Sequence, residues 1–149
     1  MTTEADRRGP RDRRRVPRGG RREYDRSGRY PPVLVADSYE GARVPCVRYL
    51  DRFNFDVAQA TNGEDALRQI VSSTPRLILT EWSLPTMPAD RLCQWLAQAW
   101  QTREIPVIVV AADFEARRQM PSVASILVKP FSLETMLKEV RRVLRQSAS

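Results

Sequence analysis

The sequence predicts an α/β fold, a five-stranded parallel sheet flanked by helices. Three observations carry the prediction. Short apolar runs alternate with segments of helical spacing from residue 33 onward. The run at 106–110 is almost wholly β-branched, as a strand covered on both faces should be. The last segment sets Leu133, Met136, Leu137, Val140 and Leu144 on one side and Lys138, Arg141, Arg142 and Arg145 on the other, an amphipathic helix suited to lie on such a sheet.

Taken in order, Val33, Leu34, Val35 and Ala36 form a buried strand ending at Asp37. Residues 40–53 have helical spacing through Val44, Val47 and Leu50. Pro45 lacks a backbone donor and crowds the preceding turn, so a late start or a kink is expected there. A second, partly polar strand covers 56–60. Asn62 is placed to cap a helix with Ala66, Leu67 and Ile70 inward, ending before Pro75. Residues 76–81 make a third strand, and 90–100 a third helix through Leu92, Trp95, Leu96 and Ala99. After the strand at 106–110, residues 113–121 are weakly helical at best. Residues 125–128 make the fifth strand, and Ser132 caps the final helix. In such sheets the working site lies beyond the carboxyl ends of the strands, where the strand order reverses. Asp37, Ser38, Glu81, Ala111 and Lys129 stand at those ends.

A chain of 149 residues is enough for one domain with a proper core and hardly enough for two. Its charge is uneven. Residues 1–30 hold 11 arginines against five acids, a net of +6, while the other 119 residues hold 14 basic and 13 acidic side chains, a net of +1. Residues 1–30 have little but Val16 to bury and are expected to be a disordered tail, followed by a domain over 31–146 and a short C-terminal tail at 147–149. Cys46 and Cys93 fit neither a disulfide framework nor a metal-ligand spacing, and are expected as unreactive thiols on opposite faces of the sheet. Neither a signal-peptide core nor an apolar run of membrane length (about 18 residues) occurs, which implies a soluble cytoplasmic protein. The absence of histidine excludes a phosphohistidine donor, a Ser-His-Asp or Cys-His triad and most zinc sites within the chain.

Five segments carry a resemblance to a known family: Val33 to Asp37; Thr61, Asn62 and Gly63 through Leu67; Leu84, Pro85, Thr86 and Met87; Ile105 to Val110; and Leu127, Val128, Lys129, Pro130 and Phe131. In this order and at this spacing, over roughly residues 31–146, they resemble a response-regulator receiver (CheY-like) domain, a flavodoxin-like fold. The strand followed by Lys129, Pro130 and Phe131 is the most telling. The resemblance implies a phosphorylation pocket. Two acidic residues after the first strand hold Mg²⁺, and an aspartate after the third accepts the phosphoryl group. A Ser or Thr after the fourth strand and a Lys after the fifth neutralise the phosphoryl oxygens.

Matched to this pattern, Asp37 keeps the first acidic position and Lys129 the last. The other three positions depart. Ser38 is neutral where a second acid is expected, so Mg²⁺ should bind poorly. Glu81 stands at the acceptor position, with a carboxylate reaching roughly 1.5 Å further than an aspartate's. Misplacement of about an ångström costs on the order of 100-fold in rate. Ala111 has no hydroxyl to offer. An aromatic switch residue is replaced by Ile126, and Glu81 is expected to pair with Lys129 and hold one fixed conformation. Only 16 residues separate Ala112 from Lys129, so the fourth helix should be shortened or lost.

The tail arginines Arg13, Arg14, Arg15, Arg18, Arg21 and Arg22 suit either a solubilising leader or an arm that attracts polyanions, with Tyr24 and Tyr30 available to stack on bases. Trp95 is expected in the core and Trp82 and Trp100 partly so, although either of these two could anchor a partner. The resulting expectation is a pseudo-receiver without metal or cofactor, acting as a phosphorylation-independent protein-interaction module in bacterial signalling. The alternatives are a nucleic-acid-associated regulator using the tail and an atypical phospho-accepting response regulator.

Overall fold

The computed structural model describes residues 30–147, with side chains from residue 32. Ten elements alternate: β1 (Tyr30–Ala36), α1 (Glu40–Arg52), β2 (Phe55–Ala60), α2 (Gly63–Ser73), β3 (Leu77–Glu81), α3 (Ala89–Leu96), β4 (Val107–Ala111), α4 (Glu115–Gln119), β5 (Ser125–Val128) and α5 (Leu133–Ser147). The strands form one sheet in the order β2-β1-β3-β4-β5. Parallel registers pair Val35 with Leu79, Leu79 with Ile108, and Val110 with Leu127. Of the expected disordered tail at 1–30, residues 1–29, with the arginines at 13–22, lie outside the described residues, while Tyr30 opens β1. No helix among the described residues is long and apolar enough to cross a membrane.

Side chains alternate across the strands, so the sheet builds two cores. Val33, Val35, Leu79 and Ile108 face α1 and α5 through Leu50, Met136 and Val140. Leu34, Ile78 and Val109 face α2, α3 and α4 through Ile70, Leu92 and Ala116. Cys46 belongs to the first core and Cys93 packs on the second, so the cysteines do lie on opposite faces. The apolar stripe of α5 includes Val143, which the sequence reading passed over.

Several boundaries differ from expectation for local reasons. Pro45 lies inside α1, and the helix starts on time at Glu40. The Tyr39 carbonyl accepts both Ala42 N–H (3.0 Å) and Arg43 N–H (2.9 Å), which secures the first turn ahead of the proline. The third helix stops at Leu96. There the buried Thr102 hydroxyl donates to the Leu96 carbonyl at 2.7 Å and turns the chain, leaving Ala99 exposed. The fourth helix is cut to five residues, as the short spacing requires. The caps are as expected: Asn62 Oδ1 accepts Asp65 N–H at 2.8 Å, and Ser132 Oγ accepts Thr135 N–H at 3.0 Å.

Helix α2 ends on Thr74, at φ 46° and ψ 73°. A β-branched residue is costly in this left-handed region, where glycine is favoured. Thr74→Gly is expected to raise the unfolding free energy by about 1 kcal/mol in a urea melt.

Candidate functional site

The strand order reverses between β1 and β3, and a crevice opens there. Asp37, Glu81, Lys129, Cys46, Val110 and Phe131 are among its lining residues. The chain therefore brings three of the five sequence-predicted positions to one cavity. Ala111 ends β4 beside it, buried, and its carbonyl accepts Lys129 N–H at 2.9 Å. Ser38 enters through its backbone rather than its hydroxyl.

Asp37 follows β1 and is 7% exposed. Its N–H donates to the Ala60 carbonyl at 3.0 Å, and its Oδ1 accepts Tyr39 N–H at 2.9 Å. Its carbonyl accepts Arg43 Nη1 at 3.0 Å, while Arg43 Nε donates to Gln59 Oε1 at 2.8 Å. Desolvation holds the Asp37 carboxyl above the usual range. The Glu81 charge adds to this, while Tyr39 N–H, Lys129 and Arg43 oppose it.

A raised carboxyl pKa means the folded state binds the proton more tightly than the unfolded state. Ionised Asp37 therefore lowers stability at neutral pH, and that penalty fades as pH falls through its folded pKa. Asp37→Asn keeps an acceptor for Tyr39 N–H without the charge. It is expected to raise stability by up to about 1 kcal/mol at neutral pH, with no gain in acid, as measured by melts across pH.

Glu81 closes β3, and its Oε2 accepts the Ser38 N–H at 2.7 Å. That contact corrects the expected ion pair. Glu81 and Lys129 do not come within 4 Å of each other. A backbone amide is a pre-fixed donor, whereas the exposed Lys129 side chain would lose rotamer freedom to hold a pair that water screens. The Asp37 and Glu81 carboxylates thus cap two successive amides, those of Tyr39 and Ser38.

The loop after Glu81 is held from below. Trp82 N–H donates to the Val110 carbonyl at 2.9 Å, and Gly63 N–H to the Pro85 carbonyl at 2.7 Å. Thr86 takes φ 67°, and its hydroxyl oxygen accepts Glu64 N–H at 3.2 Å. The Ile126 side chain is buried against the α2–α4 core. Trp82 and Trp95 pack on that same core, but Trp100 does not share their burial: it is 73% exposed. Burial pushes both thiols up to about 11, consistent with inert cysteines.

Two participants escaped the sequence reading. Arg43 bridges β1 and β2 one turn into α1, where a helical side chain points back toward its own N-terminus; that offset was readable. The Ser38 amide carries no side-chain signature, and nothing in the sequence announced it.

Comparison with known proteins decides the family. The response regulator receiver domain profile matches residues 33–141. The chain belongs to that family. Among relatives of this receiver, the DNA-binding dual master transcriptional regulator RpaA of Synechocystis is 31% identical over 121 residues, 78% of this chain and 50% of the relative. The phosphate regulon transcriptional regulatory protein PhoB of Rhizobium meliloti is 26% identical over 121 residues, 78% of this chain and 53% of the relative. The receiver spans about half the length of these curated relatives. Its fold matches chemotaxis response regulator CheY4 of Vibrio cholerae (TM-score 0.71, 22% identity, 76% of this chain and 98% of that one). It also matches the Francisella response regulator 1452 receiver domain (TM-score 0.72, 24% identity, 79% and 99%).

Proposed function

We propose that this receiver is a phosphorylation-independent pseudo-receiver, an interaction module that binds a protein partner in a bacterial signalling or regulatory pathway. The observation that carries the reading is the bond from Ser38 N–H to Glu81 Oε2. The residue at the acceptor position is longer than aspartate, and one of its carboxylate oxygens is already held by a neighbouring loop.

The donor set also fits a divalent cation poorly. Asp37 and Glu81 are the two carboxylates of the crevice, and one oxygen of each is bonded to a backbone amide. Among the described residues no cluster of three or more His, Cys, Asp or Glu could hold a metal ion. With Ser38 neutral and Ala111 lacking a hydroxyl, the groups that would steer phosphoryl oxygens reduce to Lys129. What the fold retains is a β1–α1 loop fixed by hydrogen bonds at Asp37, Ser38 and Tyr39, presenting the Tyr39 side chain at 69% exposure. A preset surface of that kind suits binding without a switch.

Incubation of the full chain with acetyl phosphate and Mg²⁺, followed by intact mass measurement, tests the reading. The mass is expected to stay unchanged. Gain of one phosphoryl group, retained on the denatured chain and absent from Glu81→Ala, would overturn it.

A further inference from the structure

The body of the receiver is close to neutral, but its charges are sorted along the strand axis. Every helix among the described residues carries an acid in its first turn, Asp37 and Asp113 follow β1 and β4, and Glu81 ends β3. The carboxyl edge of the sheet therefore gathers most of the body's acids. At the opposite edge, where helices end and strands begin, the acids are Asp51, Asp56, Glu104 and Glu139, the last paired with Arg142 and bonded to Ser125 at the start of β5. The same edge carries Arg52 and Arg145 at the ends of α1 and α5, Arg76 leading into β3 and Arg103 leading toward β4.

Arg76 and Arg103 enter on neighbouring strands. Arg76 N–H donates to the Pro32 carbonyl at 2.9 Å, and Ile78 N–H to the Pro106 carbonyl at 3.1 Å, so the starts of β1, β3 and β4 lie side by side. Both arginines are exposed, and neither makes an ion pair within 4 Å among the described residues. Between α3 and Arg103 stands Trp100, the indole left 73% exposed. Tryptophan is the side chain with most to gain from burial, and an open ring three residues before Arg103, on the edge that also carries Arg76, offers a stacking platform at the same end of the sheet as phosphate-binding charges.

We propose that the amino edge of the sheet binds single-stranded nucleic acid, with Trp100 stacked on a base and Arg76 and Arg103 on neighbouring phosphates. The site is separate from the crevice and does not depend on whether the crevice accepts phosphate. Charge complementarity selects a polyanion, and the exposed indole favours one with free base faces over a duplex.

The test is fluorescence anisotropy of the full chain with a labelled oligothymidylate of about 12 nucleotides, a length within single-strand site sizes. Binding is expected to be saturable and to weaken with salt, and Trp100→Ala should reduce affinity about 10-fold. The double change Arg76→Gln and Arg103→Gln should flatten the log–log salt slope by about 1.4, two phosphate contacts at 0.7 each. Glu40→Gln and Glu115→Gln, at the far edge, should not weaken binding. All these side chains are exposed, so circular dichroism melts are expected to match the wild type and exclude misfolding. Absence of binding would overturn the proposal. So would binding that Trp100→Ala and the arginine pair leave intact, because residues 1–30 alone would then carry it.

Discussion

Gly63→Ala is expected to destabilise the domain by about 3 kcal/mol, the upper range for forcing extra volume into a packed site. A Cβ at Gly63 would fall 2.2 Å from Met87 Cβ, 2.7 Å from Met87 N and 2.9 Å from Met87 Cα. Two of those three atoms are backbone, so no rotamer change relieves the contact. The backbones cannot easily part either, because Gly63 N–H donates to the Pro85 carbonyl at 2.7 Å. Glycine is thus required at this position for close approach between the start of α2 and the loop after Glu81. Met87→Gly in the same chain should recover only part of the loss, since the amide nitrogen and Cα remain. Urea melts of the three variants check this, and a near-neutral Gly63→Ala would show that the loop yields.

Glu81→Ala is expected to cost about 1.5 kcal/mol and to speed hydrogen exchange at the Ser38 amide about 10-fold. A hydrogen bond to a charged group is worth about 1.5–3 kcal/mol, and this one is partly open to water. Its loss also relieves repulsion on Asp37, which places the net effect at the lower end. Glu81→Asp should behave like alanine in exchange, because a side chain shorter by one carbon falls roughly 1.5 Å short of the Ser38 amide. Glu81→Gln keeps an acceptor and should lose less. Lys129→Ala, which breaks no ion pair, is expected to stay within about 0.5 kcal/mol of wild type. A larger loss there than in Glu81→Ala would restore the ion-pair account.

Much of the fold was legible because it is written in period and punctuation. The β-branched run before Ala111, the caps at Asn62 and Ser132 and the short spacing that trims α4 all act within a few residues of themselves. The same locality explains why Glu81, Ala111 and Lys129 could be placed at strand ends. What escaped depended on competition between partners. Glu81 had two within reach on paper, a lysine side chain and a backbone amide, and sequence names only the first. Pro45 likewise looks disruptive by residue type, until the Tyr39 carbonyl is seen to secure the turn ahead of it. Trp100 is exposed where Thr102 ends α3 early through a side-chain bond to the Leu96 carbonyl, a choice of partner that no periodicity signals.

The most direct test follows the Ser38 amide resonance of ¹⁵N-labelled protein during titration with Mg²⁺ and then beryllofluoride, a phosphoryl mimic. If Glu81 already holds that amide and the crevice cannot grip the metal, Ser38 and the residues flanking Glu81 and Ala111 stay where they are. A saturable shift at Ser38, with matching shifts near Ala111, would mean that the loop releases Glu81 and takes up metal and phosphoryl group, and the account of a fixed receiver would be wrong.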